Sequence, residues 1–350
     1  MKRRNSKKIN VGGIFIGGNA PISVQSMCNT DTRDVNATVQ QIKELENVGC
    51  ELVRVAVVDN DAARAIYDIK KQINIPIVAD IHFDYRLAIE AVSAGADKIR
   101  LNPGNIGGED RVKKVVDACR SRNIPIRIGV NGGSLDKELL AKYGVTPYAM
   151  VMSAMSHVEI LNRFDFDDIA ISIKASDVNK TIDAYRLLSE KTDYPLHLGV
   201  TETGTAFMGS IKSAVGIGSL LCDGIGDTMR VSLTADPTEE IRVAYAILKA
   251  CGRRERGVNL VSCPTCGRCR INLIDIASEV EKRLQTETRP LTVAVMGCAV
   301  NGPGEAREAD FGIAGGDGEG LLFKKGEIIK KVPMGSLVDE LIELIDELPQ

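Results

Sequence analysis

At 350 residues with a formal net charge of −3 at pH 7, the chain has the length of two domains, or of one large barrel plus an addition. Hydrophobic residues at 44% and charged residues at 26% exclude a disordered or fibrous chain, and no apolar run approaches the roughly 18 residues of a membrane span. The acidic balance excludes a general nucleic-acid binder, and aromatics at 4% with no Trp leave no stacking platform for single strands.

The basic start, Lys2 to Lys8, leads into residues 9–16. That stretch is too short and too interrupted for a signal peptide's apolar core, and it reads as a solvated tail entering a hairpin. With no export signal the expected location is the cytoplasm. Its nine cysteines are then free thiols or metal ligands rather than disulfides. Eight β-rich runs follow, at 22–27, 52–57, 76–81, 98–101, 125–130, 169–174, 196–200 and 228–233. Most gaps between them carry apolar residues at helical spacing, as in 37–48, closed by Gly49, and 86–92, closed by Gly95. Eight strand–helix units in about 250 residues predict the α/β class and an N-terminal (β/α)8 TIM-type barrel. An open doubly wound sheet is the runner-up, and no Gly-rich fingerprint follows Met27 to support it. The charged stretch 252–257 reads as a linker, giving a barrel over 1–252 and a smaller α+β domain over 258–350. In the second part a helix is expected near 271–284, a strand at 291–296, short strands with Gly turns over 311–332 and a closing amphipathic helix over 337–348.

Polar residues at the C-terminal ends of barrel strands face the active-site mouth, and here those ends are heavily loaded. The candidates are Arg54, Asp80, His82, Arg100, Asn102, Arg127, Asn131, Lys174, Arg230 and Ser232, with Glu202 after the seventh strand. An unpaired buried guanidinium is costly, so four arginines and a lysine at one mouth call for anions. Asp80 and Glu202 are too few to neutralise them, and a diphosphate fits because Arg forks match phosphate oxygens. The competing reading is a layer of salt bridges. His82 and His197 by themselves are weak signals. Gly216 and Gly218 are read as helix-packing positions.

The strongest local signal is Cys263-Pro-Thr-Cys266-Gly-Arg-Cys269, with Cys298 after a predicted strand. A turn over 301–304 would carry Glu305 back toward Cys298. By spacing alone this fits a four-cysteine zinc site or an iron–sulfur cluster. A bacterial ferredoxin run would need its fourth Cys at Leu273, so that pattern fails. Cys28, Cys50, Cys119, Cys222 and Cys251 stand singly and read as small core or boundary residues.

Several segments then carry a resemblance over nearly the whole chain. They are Pro21-Ile-Ser-Val-Gln-Ser-Met27, Ala79-Asp-Ile-His-Phe83, Lys98-Ile-Arg-Leu-Asn-Pro-Gly-Asn105 and Arg127-Ile-Gly-Val-Asn-Gly-Gly-Ser134. Leu198-Gly-Val-Thr-Glu-Thr-Gly204, Ser262-Cys-Pro-Thr-Cys-Gly-Arg268 and Gly297-Cys-Ala-Val-Asn-Gly-Pro-Gly-Glu-Ala-Arg307 complete the set, the last two being highly specific. The chain resembles the bacterial 4-hydroxy-3-methylbut-2-enyl diphosphate synthases of the non-mevalonate isoprenoid pathway. The resemblance implies a [4Fe-4S] cluster held by Cys263, Cys266, Cys298 and Glu305. It also implies reductive ring opening of 2-C-methyl-D-erythritol 2,4-cyclodiphosphate with loss of water, a ferredoxin or flavodoxin as electron donor, and a head-to-tail homodimer. Glu305 is counted as catalytic as well as ligand, because a carboxylate is the hard, exchangeable ligand in a thiolate set. Glu202 is the expected proton donor or charge stabiliser. Cys269 departs from the family pattern and is the rival ligand, and Cys28 stands where the family often has Thr. The alternatives are an electron-transfer protein, or another phosphate-handling barrel enzyme with a structural zinc ribbon.

Overall fold

The computed structural model describes residues 2–348 apart from 136, 299–305 and 317. Contacts divide the chain into two compact units, Met1–Arg254 and Glu255–Gln350.

The first unit opens with a hairpin, β1 (Ile9–Val11) and β2 (Ile14–Ile16). Eight parallel strands follow: β3 (Ser23–Met27), β4 (Leu52–Ala56), β5 (Ile77–Asp80), β6 (Lys98–Leu101), β7 (Ile126–Asn131), β8 (Ile169–Lys174), β9 (His197–Leu198) and β10 (Thr228–Met229). Each is followed by a helix: α1 (Val35–Asn47), α2 (Asn60–Lys70), α3 (Tyr85–Ser93), α4 (Glu109–Ser121), α6 (Pro147–Asn162), α7 (Val178–Lys191), α8 (Ala206–Cys222) and α9 (Pro237–Ala250), with a short extra helix, α5 (Lys137–Tyr143), after β7. Aspartates begin many of these helices. Asp34, Asp59, Asp84, Asp177 and Asp236 each accept a backbone N–H of the first turn, which satisfies a donor that has no partner within the helix.

Strand order runs β8-β7-β6-β5-β4-β3-β10-β9, and a bridge between Ile171 and Leu196 joins the ends. The sheet is therefore a closed barrel, and the open doubly wound alternative is excluded. Carried once around the barrel, the register returns to β3 eight residues from its start, from Met27 to Asn19, the stagger of a (β/α)8 barrel. With side chains alternating in and out, this register stacks the interior in layers of four. From the base upward they are Leu52, Lys98, Ala170 and Thr228; then Gln25, Val78, Arg127 and His197; then Arg54, Arg100, Ser172 and Arg230; then Met27, Asp80, Gly129 and Gly199; and at the rim Ala56, Asn102, Lys174 and Ser232.

The hairpin closes the base, where Ile9, Val11 and Ile16 pack on Leu52, Val78 and Ala170. The tail before it is not simply solvated, as composition suggested. Arg3 and Arg4 pair with the buried Asp227 at 3.2 and 3.6 Å, and Lys7 bonds Asp167. A buried carboxylate needs cations beside it, and the tail supplies them.

The second unit is a five-stranded mixed sheet in the order β11-β12-β13-β14-β15: β11 (Asn259–Ser262), β12 (Thr292–Met296), β13 (Phe311–Gly315), β14 (Glu319–Lys324) and β15 (Glu327–Pro333). Helices α10 (Leu273–Arg283) and α11 (Leu337–Asp346) bury Leu273, Val280, Leu337, Leu341 and Ile345 against Val293, Val295, Phe311 and Ile313. The first three strands are parallel and the last two antiparallel. Among the described residues no helix is long and apolar enough to cross a membrane.

A cation-lined barrel and a cysteine loop as the candidate functional site

The interior layers bring the mouth candidates together. Asp80 is the single inward carboxylate of the five layers, and Arg100, Arg54 and His82 surround it at 3.2, 3.7 and 3.4 Å. Burial alone would push its carboxyl up, but Arg54, His82 and Arg100 outweigh burial and hold it well below the usual carboxylate range. Arg54 also points Nε and Nη2 at the Met27 sulfur, 3.0 and 2.8 Å away. Burial lowers the Arg54 pKa to about 10, and Arg230 and Arg100 add to that while Asp80 opposes it.

The remaining cations have fewer partners. Arg230 meets Glu240 of α9 at 3.6 Å, a buried acid that sequence reading did not single out because it lies on a helix rather than a strand end. Arg127 is 1% exposed and has one bond, from Nη1 to Ser172 Oγ at 2.9 Å, while its Nε and Nη2 have no partner. No carboxylate among the described residues pairs with Arg127 or Lys174. The salt-bridge reading therefore holds for Arg54, Arg100 and Arg230 and fails for these two. Asn102 is buried with both amide atoms unbonded, Ser232 is half-buried at the rim, and Asn131 ends β7. His82 is exposed beside Phe83, itself 74% exposed. Glu202 lies exposed in the loop after β9 with φ of +55°, a left-handed conformation rare for a residue with a side chain.

Sequence reading missed Lys98 and Gln25 and underweighted His197. All three face inward from the two lowest layers and are at most 1% exposed. Lys98 Nζ, both Gln25 amide atoms and His197 Nε2 have no partner. The available signal was parity: Lys98 lies two residues before Arg100, so both point to the same face of β6.

Two glycines make room for the cations. A Cβ on Gly129 would lie 2.6 Å from Arg100 Nε, and one on Gly199 would lie 2.5 Å from Lys174 Nζ. Gly129→Ala is expected to displace the Arg100 guanidinium and to cost about 1–3 kcal/mol through overpacking; an unchanged urea midpoint would contradict it.

The cationic interior also sets a pH dependence. Burial lowers Lys98 and Lys174 well below the ordinary lysine value, with Arg127 the next cause for Lys98 and Arg230 for Lys174. Between those depressed values and about pH 10 the unfolded chain binds more protons than the folded one, so folding stability rises with pH. Urea midpoints of the ligand-free protein should be higher at pH 8.5 than at pH 6.5, and the reverse order would refute the assignment.

In the second unit the cysteine loop docks onto the end of β12. Gly297 N–H donates to Cys263 Sγ at 3.2 Å, and Gly297 O accepts from Arg270 N at 2.9 Å, which places the loop beside Cys298. Cys266 is exposed, and the backbone N–H and then the side chain of Arg268 favour its thiolate. Cys269 lies against Gly297 and has a backbone partner of its own. Its Sγ donates to Ile271 O at 3.2 Å, and a Cβ on Gly297 would lie 2.8 Å from that sulfur. Glu305 lies outside the described residues, and among the described residues no three ligating side chains form a metal-holding group. The donor chemistry still fits an iron–sulfur centre, with thiols on one short loop and beside one strand end and an N–H aimed at a sulfur. Burial raises the thiols of Cys28, Cys50 and Cys119 to about 12, as for structural residues. Cys222 and Cys251 do not stand singly: Cys222 is exposed and bonds Cys251.

The chain matches the model of the GcpE TIM-barrel domain over residues 6–245 and that of the GcpE protein C-terminal domain over residues 259–347. It belongs to the GcpE family. Relatives are similar over their full length. A 4-hydroxy-3-methylbut-2-en-1-yl diphosphate synthase (flavodoxin) of Ruminiclostridium cellulolyticum is 62% identical, covering 99% of this chain and 99% of that one. A protein of the same name from Clostridium perfringens is 61% identical, covering 99% and 100%. Among solved structures, a Yersinia pestis dihydropteroate synthase in complex with a sulfonamide drug superposes with a TM-score of 0.51 at 10% identity, covering 71% of this chain and all of that one. That likeness concerns the barrel fold alone. The GcpE barrel model spans β3 to β10 with the helices between them, so every mouth residue above lies within it.

Proposed function

We propose that this GcpE-family chain is an oxidoreductase that opens 2-C-methyl-D-erythritol 2,4-cyclodiphosphate reductively to 4-hydroxy-3-methylbut-2-enyl diphosphate. Two electrons and two protons enter and one water leaves. The observation that carries this reading is the barrel interior: inward arginines and lysines from five strands face one inward carboxylate, and Arg127 and Lys174 have no acid paired with them. A dianionic ligand supplies the missing negative charge in a site where it is poorly screened by water.

In this reading Lys174 grips the diphosphate from the rim, Arg54, Arg100 and Arg230 hold it from the middle layer, and Arg127 supports it from below. Asn102, Asn131, Ser232 and His82 complete its hydrogen bonds. Asp80 orients Arg54, Arg100 and His82 and does not face the ligand as a free charge. Glu202, on a strained loop at the mouth, donates a proton near the departing oxygen. If Glu202→Gln leaves turnover unaltered, that role is lost.

Family membership implies an iron–sulfur enzyme. Cys263, Cys266, Cys298 and Glu305 would hold a [4Fe-4S] cluster, which when bound supplies electrons one at a time. Flavodoxin, part of both relatives' names, is the proposed donor, with ferredoxin as the other candidate class. A cytoplasmic location, expected of an enzyme of biosynthesis, is part of the proposal. A head-to-tail homodimer, in which the barrel (1–252) binds substrate and the cluster domain (258–350) serves the partner's barrel, is part of the proposal. The face of α8 supports a second copy, because Phe207, Met208, Ile211 and Val215 are exposed there at helical spacing.

The deciding experiment is anaerobic iron and sulfide analysis combined with turnover of the cyclodiphosphate with reduced flavodoxin. About four irons per chain with turnover supports the reading, and one zinc with none overturns it. Mixing Cys298→Ala chains with Arg127→Ala chains tests the dimer, since shared sites restore part of the activity and separate sites restore none.

A further inference from the structure

We propose that binding of the cyclic diphosphate in the barrel mouth is coupled to proton uptake by two buried lysines, Lys98 and Lys174. This rests on the mouth being the diphosphate site. Lys98 is completely buried in the lowest layer, and its Nζ has no hydrogen-bond partner. Around it stand Leu52 and Arg54 from β4, Val78 from β5, Arg127 from β7, Ala170 from β8, His197 from β9, Thr228 from β10 and Gln25 from β3. Ile9, Val11 and Ile16 of the hairpin form the apolar floor. The titratable groups facing it are thus the cations Arg54 and Arg127 and the buried imidazole of His197. The one inward carboxylate, Asp80, sits three layers higher and is already shared by Arg54, Arg100 and His82.

Lys174 at the rim is 7% exposed, and the strongest charges acting on it are Arg230, Arg127, Arg54 and Arg100, all cations, while Asp80, one layer lower on β5, is already shared by Arg54, Arg100 and His82. An ammonium buried among guanidinium groups with no acid sheds its proton, because neither water nor an anion stabilises the charge. The arginines, whose intrinsic pKa is higher, keep theirs. A dianion arriving in the mouth reverses the local field, and the lysines then gain by being charged. His197 is held neutral first by burial and then by Arg127, Lys174 and Lys98, so it stays unprotonated near neutral pH and does not contribute to the count.

Linkage fixes the sign. Each proton taken up makes the association constant fall by up to about tenfold for every pH unit of rise. The ligand does not obscure the count, because each phosphorus of the cyclic diphosphate carries one ester and one anhydride link and keeps a single, strongly acidic hydroxyl that is ionised far below neutral pH. Isothermal titration of the full chain with the cyclodiphosphate, without reductant, in buffers of different ionisation enthalpy at pH 8 gives the proton number directly. The expected value approaches two, with affinity falling as pH rises from 7 to 9. Lys98→Met, apolar and similar in length, lowers the count by about one and flattens the pH profile. A merely structural role for Lys98 would weaken binding equally at every pH and leave the count unchanged, which would overturn its part. Lys98→Gln replaces it if the Met variant does not fold, and the wild-type count alone decides the coupling. Binding without proton uptake overturns this inference and leaves the diphosphate site standing, whereas absence of binding overturns the site itself.

Discussion

Asp80→Asn is expected to destabilise the ligand-free protein by about 3–5 kcal/mol, the usual cost of removing one partner of a buried ion pair. The carboxylate is 3% exposed and is the single inward acid among Arg54, Arg100, Arg127, Arg230 and two lysines. Without it Arg54 loses its one ion-pair partner and keeps only the Met27 sulfur, a weak acceptor, while Arg100 keeps the carbonyl of Gly129. Because the Asp80 carboxyl titrates below its ordinary value, its stabilisation is fully present above pH 4 and is lost as pH falls through the folded-state value, so wild type and variant should converge in acid. Added cyclodiphosphate should recover much of the lost stability in the variant, since the ligand brings the missing charge. Urea midpoints with and without ligand measure both effects, and equal midpoints for wild type and variant would contradict the electrostatic account of the barrel.

Cys263→Ser is expected to lower bound iron from about four per chain to below one and to reduce turnover to background. Cys269→Ser is the internal control. Its sulfur bonds Ile271 O and packs over Gly297, so its loss should cost about 1 kcal/mol of stability and leave iron content intact. Anaerobic metal analysis of the two variants separates the rival ligand sets. Iron lost from Cys269→Ser and kept by Cys263→Ser would move the cluster to a different trio of thiols.

Much of the barrel was legible in the chain. Eight β-rich runs at regular spacing with helical patterns between them correspond to β3–β10, because parallel strands buried on both faces are written as short apolar runs closed by turn residues. The short strands β9 and β10 kept only the first part of their predicted runs, since pairing at the barrel seam stops where loops of the mouth begin. In the second unit α10, β12 and α11 were readable, whereas β11 was not. Residues 259–262 form a mostly exposed edge strand whose partner, β12, is about thirty residues away, and edge strands carry little apolar alternation.

The sequence by itself determined the inventory: a (β/α)8 barrel, arginines in excess at strand ends, and a thiol loop paired with a later cysteine. Tertiary structure alone decided which of those charges meet. Stagger around a closed barrel stacks Lys98 and Arg127 in adjacent layers and leaves Asp80 to serve Arg54, Arg100 and His82, and none of this follows from spacing along one strand. The physical reason is that charge pairing depends on distances of a few ångströms across strands. Hydrophobic periodicity fixes only which face a residue takes, and the register fixes how high on that face it stands.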